Sequence, residues 1–258
     1  MLSAAARQNK IIEAIYDKGS VEVSDLCKLF NISEMTARRD LAILDEKGLI
    51  RRVHGGAITN LGRSYEPPFL LRSTANVENK KRIARRAAEM VYSGSSIALD
   101  SGTTVLEMIS HFRDKRNLTI VSSCLVSAGE VIKNFAVGSD IRLIISGGIV
   151  RANELSLVGP FSQFVFNSLH VDIAFLGMGG VHPEEGLSEF NIEDAEVKKS
   201  IIQFAKRRIV LADSSKFGVT ALNHVAPLQK VDIIITDNQA PPDMVDAIRN
   251  KGIEVIIC

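Results

Sequence analysis

Arg38-Arg39 and Arg51-Arg52 stand close together in the segment TARRDLAILDEKGLIRRVHGGAI, residues 36–58. A guanidinium is a permanently charged fork of N–H donors. It matches phosphate oxygens and the major-groove edge of guanine. Two such pairs on different local structures could hold one duplex at two places. A second set of chemically capable residues lies further along. It comprises Asp100-Ser101-Gly102-Thr103-Thr104, Ser122-Ser123, Gly147-Gly148 with Arg151, and Gly177 and Gly179 in a glycine-rich run. Glu189 and Asp213, with Lys216 close behind, complete it. Hydroxyls, free backbone N–H groups and a cation suit a phosphate, and a carboxylate suits sugar hydroxyls. The chemistry is that of a phosphorylated polyol.

The first set needs elements to present it. Ala37, Leu41 and Leu44 fall at i, i+4 and i+7, which predicts one buried face of a helix. Met35, Arg38, Arg39 and Ala42 then occupy the opposite face. Ser33 suits the N-cap and Gly48 the C′ position. Two helices are expected upstream. Ile11, Ile12 and Ile15 mark one that Gly19 closes; Leu26, Leu29 and Phe30 mark another that ends near Asn31. The short Asn31-Ile32-Ser33 connection is that of a helix-turn-helix. LIRRV and AIT flank Gly55-Gly56 as a hairpin, with His54 at the tip and glycines that allow close backbone approach. The DNA-facing set is therefore Ser33, Met35, Thr36, Arg38, Arg39, Arg51, Arg52, His54, Gly55 and Gly56. A blander reading pairs Arg38 and Arg39 with Glu34, Asp40 and Asp45 as a solvated helix face. Three short helices, a glycine stop and a basic wing together favour the DNA reading.

Pro67-Pro68 sits in a mixed polar stretch, residues 60–78, that reads as a linker. A basic helix, NKKRIARRAAEMV, follows. From residue 95 the pattern becomes short continuous apolar runs: SIALD, LTIVSS, IRLIISGG, VDIAFLGMGG, RRIVLAD, VDIIITD and IEVIIC. Such runs predict strands buried on both faces, hence a largely parallel sheet wrapped by helices. Ligands in open α/β sheets bind beyond the carboxyl ends of the strands. The second set of residues follows those strand ends. Each member also has a plain structural reading. Ser101 to Thr104 can be a cap and turn, Asp213 a turn cap, Lys216 a solvated lysine, and Gly177 to Gly180 a place of tight packing. No G-x-x-x-x-G-K-[ST] occurs, and no G-x-G-x-x-G with its spaced acid follows the first strand, which argues against nucleotide binding.

Bulk composition sets bounds. The chain of 258 residues is 46% hydrophobic and carries a net charge of +1, so any polyanion site must be a local patch. Cys27, Cys124 and Cys258 have no metal-ligand or disulfide-framework spacing. No signal sequence or membrane span is expected, and the location expected is cytoplasmic. The organisation expected is a DNA-binding domain at 1–59, a linker at 60–78 and a ligand-binding domain at 79–258.

LCKLFNISEMTARRDLAILDEKGLIRRVHGGA resembles the winged helix-turn-helix of the DeoR family of bacterial regulators. ALDSGTT, SGGIVR, LVGP, DIAFLGMGGV, GLSEFNIEDAEVKKSII, LADSSKFG and DIIITD resemble the effector domain of the same family. The resemblance implies Thr36, Arg38 and Arg39 at the DNA, on the recognition helix. It implies a ribose-phosphate-isomerase-like α/β fold for the second domain, with phosphate at Ser101–Thr104 and Lys216 assisting. Ser122-Ser123-Cys124-Leu125 departs from the Thr-Asn of many members. The function expected is a transcriptional regulator of a carbohydrate operon, a repressor released from operator DNA by a phosphorylated sugar or sugar alcohol. It is expected to act as a homo-oligomer, dimer or tetramer, without cofactor, metal or membrane. An isomerase using Glu189, Asp213 and Lys216 is the enzymatic alternative, and an interaction scaffold the third.

Overall fold

The structure is a computed structural model that describes residues 3–46, 48–58, 62–135 and 140–258. The chain divides into two compact units after Pro67.

The first unit contains α1 (Ala4–Lys18), β1 (Ser20–Glu22), α2 (Val23–Phe30), α3 (Glu34–Glu46), β2 (Arg51–Val53) and β3 (Gly56–Ile58). Ile11, Ile12, Ile15, Leu26, Ala37, Leu41, Leu44 and Ile50 form its buried core. The expected helical faces meet there, because each stripe must be covered by the others. Leu29 departs from the expectation: it is 64% exposed. Asn31 ends α2 in the left-handed region, φ 50°. β1 was not foreseen. It pairs antiparallel with β3, giving the order β1-β3-β2. The hairpin turn is His54-Gly55, with Gly55 at φ 82°, while Gly56 already lies in β3. Thr59, expected in the wing, and Asn60 and Leu61, expected in the linker, lie outside the described residues.

The second unit begins inside the expected linker. Phe69–Thr74 is a helix, α4, followed by α5 (Val77–Ala88), so these residues belong to the fold. Next come β4 (Ser96–Leu99), α6 (Thr103–Leu106), β5 (Thr119–Ser122), α7 (Leu125–Asn134), β6 (Arg142–Ile145), β7 (Ile149–Arg151), β8 (Ser156–Val158) and α8 (Pro160–Asn167). The remainder is β9 (Val171–Gly177), β10 (Gly180–His182), β11 (Gly186–Glu189), α9 (Ile192–Phe204), β12 (Ala205–Leu211), β13 (Asn223–Ala226), β14 (Ile233–Thr236), α10 (Pro242–Arg249) and β15 (Glu254–Ile257).

The seven apolar runs are the seven strands of one sheet, ordered β15-β14-β12-β9-β4-β5-β6 and parallel throughout. Alternate residues serve opposite faces. Ala98, Val121, Leu176, Val210 and Ile234 pack with α8, α9 and α10. Ile97, Ile120, Phe175, Ile209 and Ile235 pack with α5 and α7. The parallel sheet aligns all its strand ends, so Asp100, Asp213 and Asp237 emerge on one edge. Two smaller sheets, β10-β11-β13 and the β7–β8 ribbon, were not expected. Their three- and four-residue strands are too short to show a period in the sequence.

Candidate functional site

Arg38 and Arg39 are exposed on α3, and of the helix's acids only Asp40 is turned into the fold, while Glu34, Asp45 and Glu46 are exposed. Ser33 accepts the Thr36 N–H at 3.2 Å and shares a hydroxyl–hydroxyl bond with Thr36 at 2.9 Å, so both begin the helix as a cap. Asp40 is buried and held from α1 by Arg7 at 2.6 Å and Gln8 at 3.1 Å. Asp45 accepts the Arg52 N–H at 3.2 Å and so fastens the wing to α3. Among the described residues only Glu34 meets an outward arginine, Arg38, at 3.3 Å; this is an exposed pair of small energetic weight. Arg39, Arg51 and Arg52 have no ion-pair partner among the described residues. Met35, 81% exposed, stands beside the arginines. His54 and Gly55 are exposed at the wing tip, whereas Gly56 is buried. A Cβ on Gly56 would lie 2.1 Å from the Val21 carbonyl, so this glycine serves the approach of β1 rather than a ligand.

On the sheet edge of the second unit the charges are buried and matched. Lys198 projects from α9 and donates to Asp100 and, at 2.9 Å, to the Gly177 carbonyl. It lies 3.3 Å from Glu189. Asp100 also accepts the Gly177 N–H at 3.0 Å. All three ionisable groups are at most 5% exposed. Two carboxyls thus share one ammonium, and burial pushes the Asp100 carboxyl above the usual carboxylate range despite Lys198. One turn earlier on α9, Asp194 is paired with Arg151 from β7. Sequence reasoning missed Lys198 and Asp194. Their i, i+4 spacing on α9 was the available signal.

A second group gathers around Asp213. Asn76 donates to it at 3.3 Å, and Ser215 donates through both N–H and hydroxyl. Burial pushes Asp213 up, but Lys216, Ser215 and Lys80 together outweigh this and hold it below the usual range. Lys80 is buried at the start of α5. It donates to the Arg72 carbonyl and, at 2.7 Å, to that of Ala75. Burial lowers its ammonium to about 8, with Asp213 opposing and Lys216 adding to the fall.

The expected ligand residues divide accordingly. Thr103 and Thr104 open α6, with Ser101 and Gly102 just before it. The N–H groups of Thr103 and Thr104 donate to nothing among the described residues. α6 is a single turn, so the expected helix pole shrinks to those local donors. Gly177 faces this loop: a Cβ there would lie 3.3 Å from the Ser101 carbonyl. Ser122 is not available to a ligand. Its buried hydroxyl donates to the Leu99 carbonyl at 3.0 Å and accepts the Cys124 N–H at 3.1 Å. Ser123 is buried, and its carbonyl accepts Leu157. Gly148 gives way to the Val158 carbonyl, 2.4 Å from where its Cβ would be, and Gly147 turns the chain at φ 67°. Gly179 lies against Glu189 and the Phe190 ring, each 2.9 Å from a Cβ. Gly148 and Gly179 are thus closely packed, whereas a Cβ on Gly147 would meet nothing within 4 Å. No cluster of metal-ligating side chains and no helix able to cross a membrane occurs among the described residues.

Residues 7–61 match the DeoR-like helix-turn-helix domain, and residues 75–238 match the DeoR C terminal sensor domain. The chain belongs to the DeoR family. It is a DNA-binding transcriptional regulator. DeoR-family relatives align over nearly all of it. The glycerol-3-phosphate regulon repressor of Escherichia coli K12 is 31% identical, covering 98% of each chain. The HTH-type transcriptional regulator GolR of Listeria innocua is 32% identical, covering 97% of each. The transcriptional repressor AccR of Agrobacterium fabrum is 33% identical over 92% of this chain and 90% of its own. Among solved structures, the ribose 5-phosphate isomerase of Methanocaldococcus jannaschii is 18% identical over 55% of each chain, with a TM-score of 0.40. A likeness at that level says nothing of activity in this DeoR-family chain.

Proposed function

We propose that this regulator is a cytoplasmic repressor of a carbohydrate operon that leaves its operator when a phosphorylated sugar or polyol binds the sheet edge. The observation that carries the DNA half is the exposed arginine set on α3 and the wing, with Asp40 buried against Arg7 and Asp45 fastening the wing to α3. Arg38 and Arg39 would enter the major groove, and Arg51, Arg52 and His54 would meet the backbone or the neighbouring minor groove. Thr103 and Thr104 would receive the phosphate with Lys216, while Asp213 would meet sugar hydroxyls. The glycerol-3-phosphate regulon repressor among its relatives supports this reading. Paired operator half-sites call for a homo-oligomer, at least a dimer. Of the groups nominated for an isomerase, Glu189 faces Lys198 and Asp213 is held by Asn76 and Ser215. The DeoR-family relatives named above are regulators, and no turnover is proposed.

The test is an operator titration with and without a panel of sugar phosphates. Lys216→Ala, and Thr103→Ala with Thr104→Ala, should keep operator affinity and lose release. Release at the wild-type effector concentration would place the ligand elsewhere.

A further inference from the structure

α4 is the first element after the boundary at Pro67, so it is where the second unit takes hold of the chain that leads from the DNA reader. It is a helix of six residues, and none of them is buried. A helix this short has little stability of its own. Polar contacts fasten it. Arg72 pairs with Glu154, which is buried in the turn between β7 and β8. Lys80, buried on α5, reaches back to the carbonyls of Arg72 and, at 2.7 Å, of Ala75. Asn76, between α4 and α5, is exposed and donates to the buried Asp213 at 3.3 Å. Two of these anchors lead to the sheet edge. Asp213 is the carboxylate assigned there to sugar hydroxyls. The Glu154 turn is tied to the same edge through Arg151. The Arg151 carbonyl accepts the N–H groups of Glu154 at 3.0 Å and Leu155 at 2.7 Å, and its side chain pairs with Asp194, one turn before Lys198 on α9.

We propose that α4 is a strap whose fastening through Asn76 and Arg72 keeps the chain in its operator-binding state, and that a ligand loosens it by taking Asp213 from Asn76. The second clause rests on the proposed binding of a sugar phosphate at the sheet edge. A ligand shifts a conformational balance only through contacts that differ between the two states. Asp213 supplies that difference. Its Oδ1 already accepts Asn76 and both donors of Ser215, so a hydroxyl arriving there must displace one of them. The bond from the exposed Asn76 is the longest of the three and the first to yield. An element without a buried residue then has little else to hold it, and local opening of such an element costs least.

The strap can be loosened without any ligand. Asn76→Gly removes the amide and suits the backbone, since Asn76 lies at φ 52° and makes no capping bond to α5. Glu154→Gln removes the charge that holds Arg72. Each full-length variant is titrated with a duplex that the wild-type chain selects from a random pool, and amide hydrogen exchange is followed over residues 69–74. Both variants should exchange faster there with the sheet strands unchanged. Their affinity for the duplex should fall about tenfold with no sugar phosphate present, a usual size for coupling between sites. Faster exchange with wild-type affinity overturns the proposal, because α4 then does not set the DNA-binding state. Unchanged exchange overturns it too, because the anchors then do not hold α4. If Glu154→Gln loses protection across the whole sheet, Asn76→Gly decides alone, its side chain being exposed. A wild-type chain that no sugar phosphate releases, beside variants of lowered affinity, sinks the ligand reading and its step at Asp213 while the strap stands.

Discussion

The two units use basic side chains in opposite ways. On the first, Arg39, Arg51 and Arg52 stand in solvent without ion pairs among the described residues, and Arg38 has one weak, exposed partner. On the second, Lys80, Lys198 and Arg151 are held by carbonyls and carboxylates at a buried edge. An exposed cation costs the fold little and keeps its charge for a large polyanion. A buried cation must be matched within the fold, and it becomes responsive because a small change in its surroundings alters a finely balanced charge. The difference fits a reader of DNA on one side and a sensor of a small anion on the other.

The contrast is broken most directly at Lys198. Lys198→Ala should destabilise the second unit by about 3–5 kcal/mol, because Asp100 and Glu189 would be left buried without their ammonium. Urea denaturation at neutral pH measures it; a loss under 1 kcal/mol, about the value of an exposed pair, would erase the distinction between the two regions.

Lys80 gives the next largest effect. Its folded-state value of about 8 lies below the usual 10.5. Between those values the unfolded chain binds the proton that the folded chain has lost. Stability therefore rises with pH across that window, by at most about 3 kcal/mol relative to a Lys80→Met variant. Parallel stability curves for the two proteins from pH 8 to pH 10.5 would show that Lys80 keeps an ordinary proton affinity.

The exposed arginines should behave otherwise. Arg38→Ala and Arg39→Ala should each weaken operator binding by about 1–3 kcal/mol if they read bases, with the melting temperature unchanged. Wild-type operator binding by both variants would remove them from the recognition surface. The smallest effect belongs to the wing. Arg51→Ala and Arg52→Ala should each lower the salt slope of binding by about one, evenly across sequences. If the slope holds in both, the wing does not touch the backbone.

Much of this was legible because it rests on local periodicity. Ala37, Leu41 and Leu44 announced the buried side of α3, and the continuous runs announced every strand of the parallel sheet. The site was less legible. Ser122, Gly56, Gly148 and Gly179 read as ligand contacts by type and position, yet each meets a neighbour distant in sequence. Lys80 stood in a basic helix and Lys198 in a stretch quoted only for its resemblance, with no ligand role read for either, and α4 hid in a stretch that its prolines marked as linker.

Sequence by itself determined the three helices of the first unit, the strands of the parallel sheet, the two regimes of the chain and the outward face of α3. Those follow from which side chains must leave water at a 3.6-residue or a 2-residue period. Only the tertiary structure decided which polar groups remain free. Asp40 is taken by Arg7, Ser122 by the Leu99 carbonyl and Asp100 by Lys198, across separations of 33, 23 and 98 residues. A polar side chain acts on a ligand only when the fold has not already satisfied it, and that is a property of the assembled surroundings rather than of the residue.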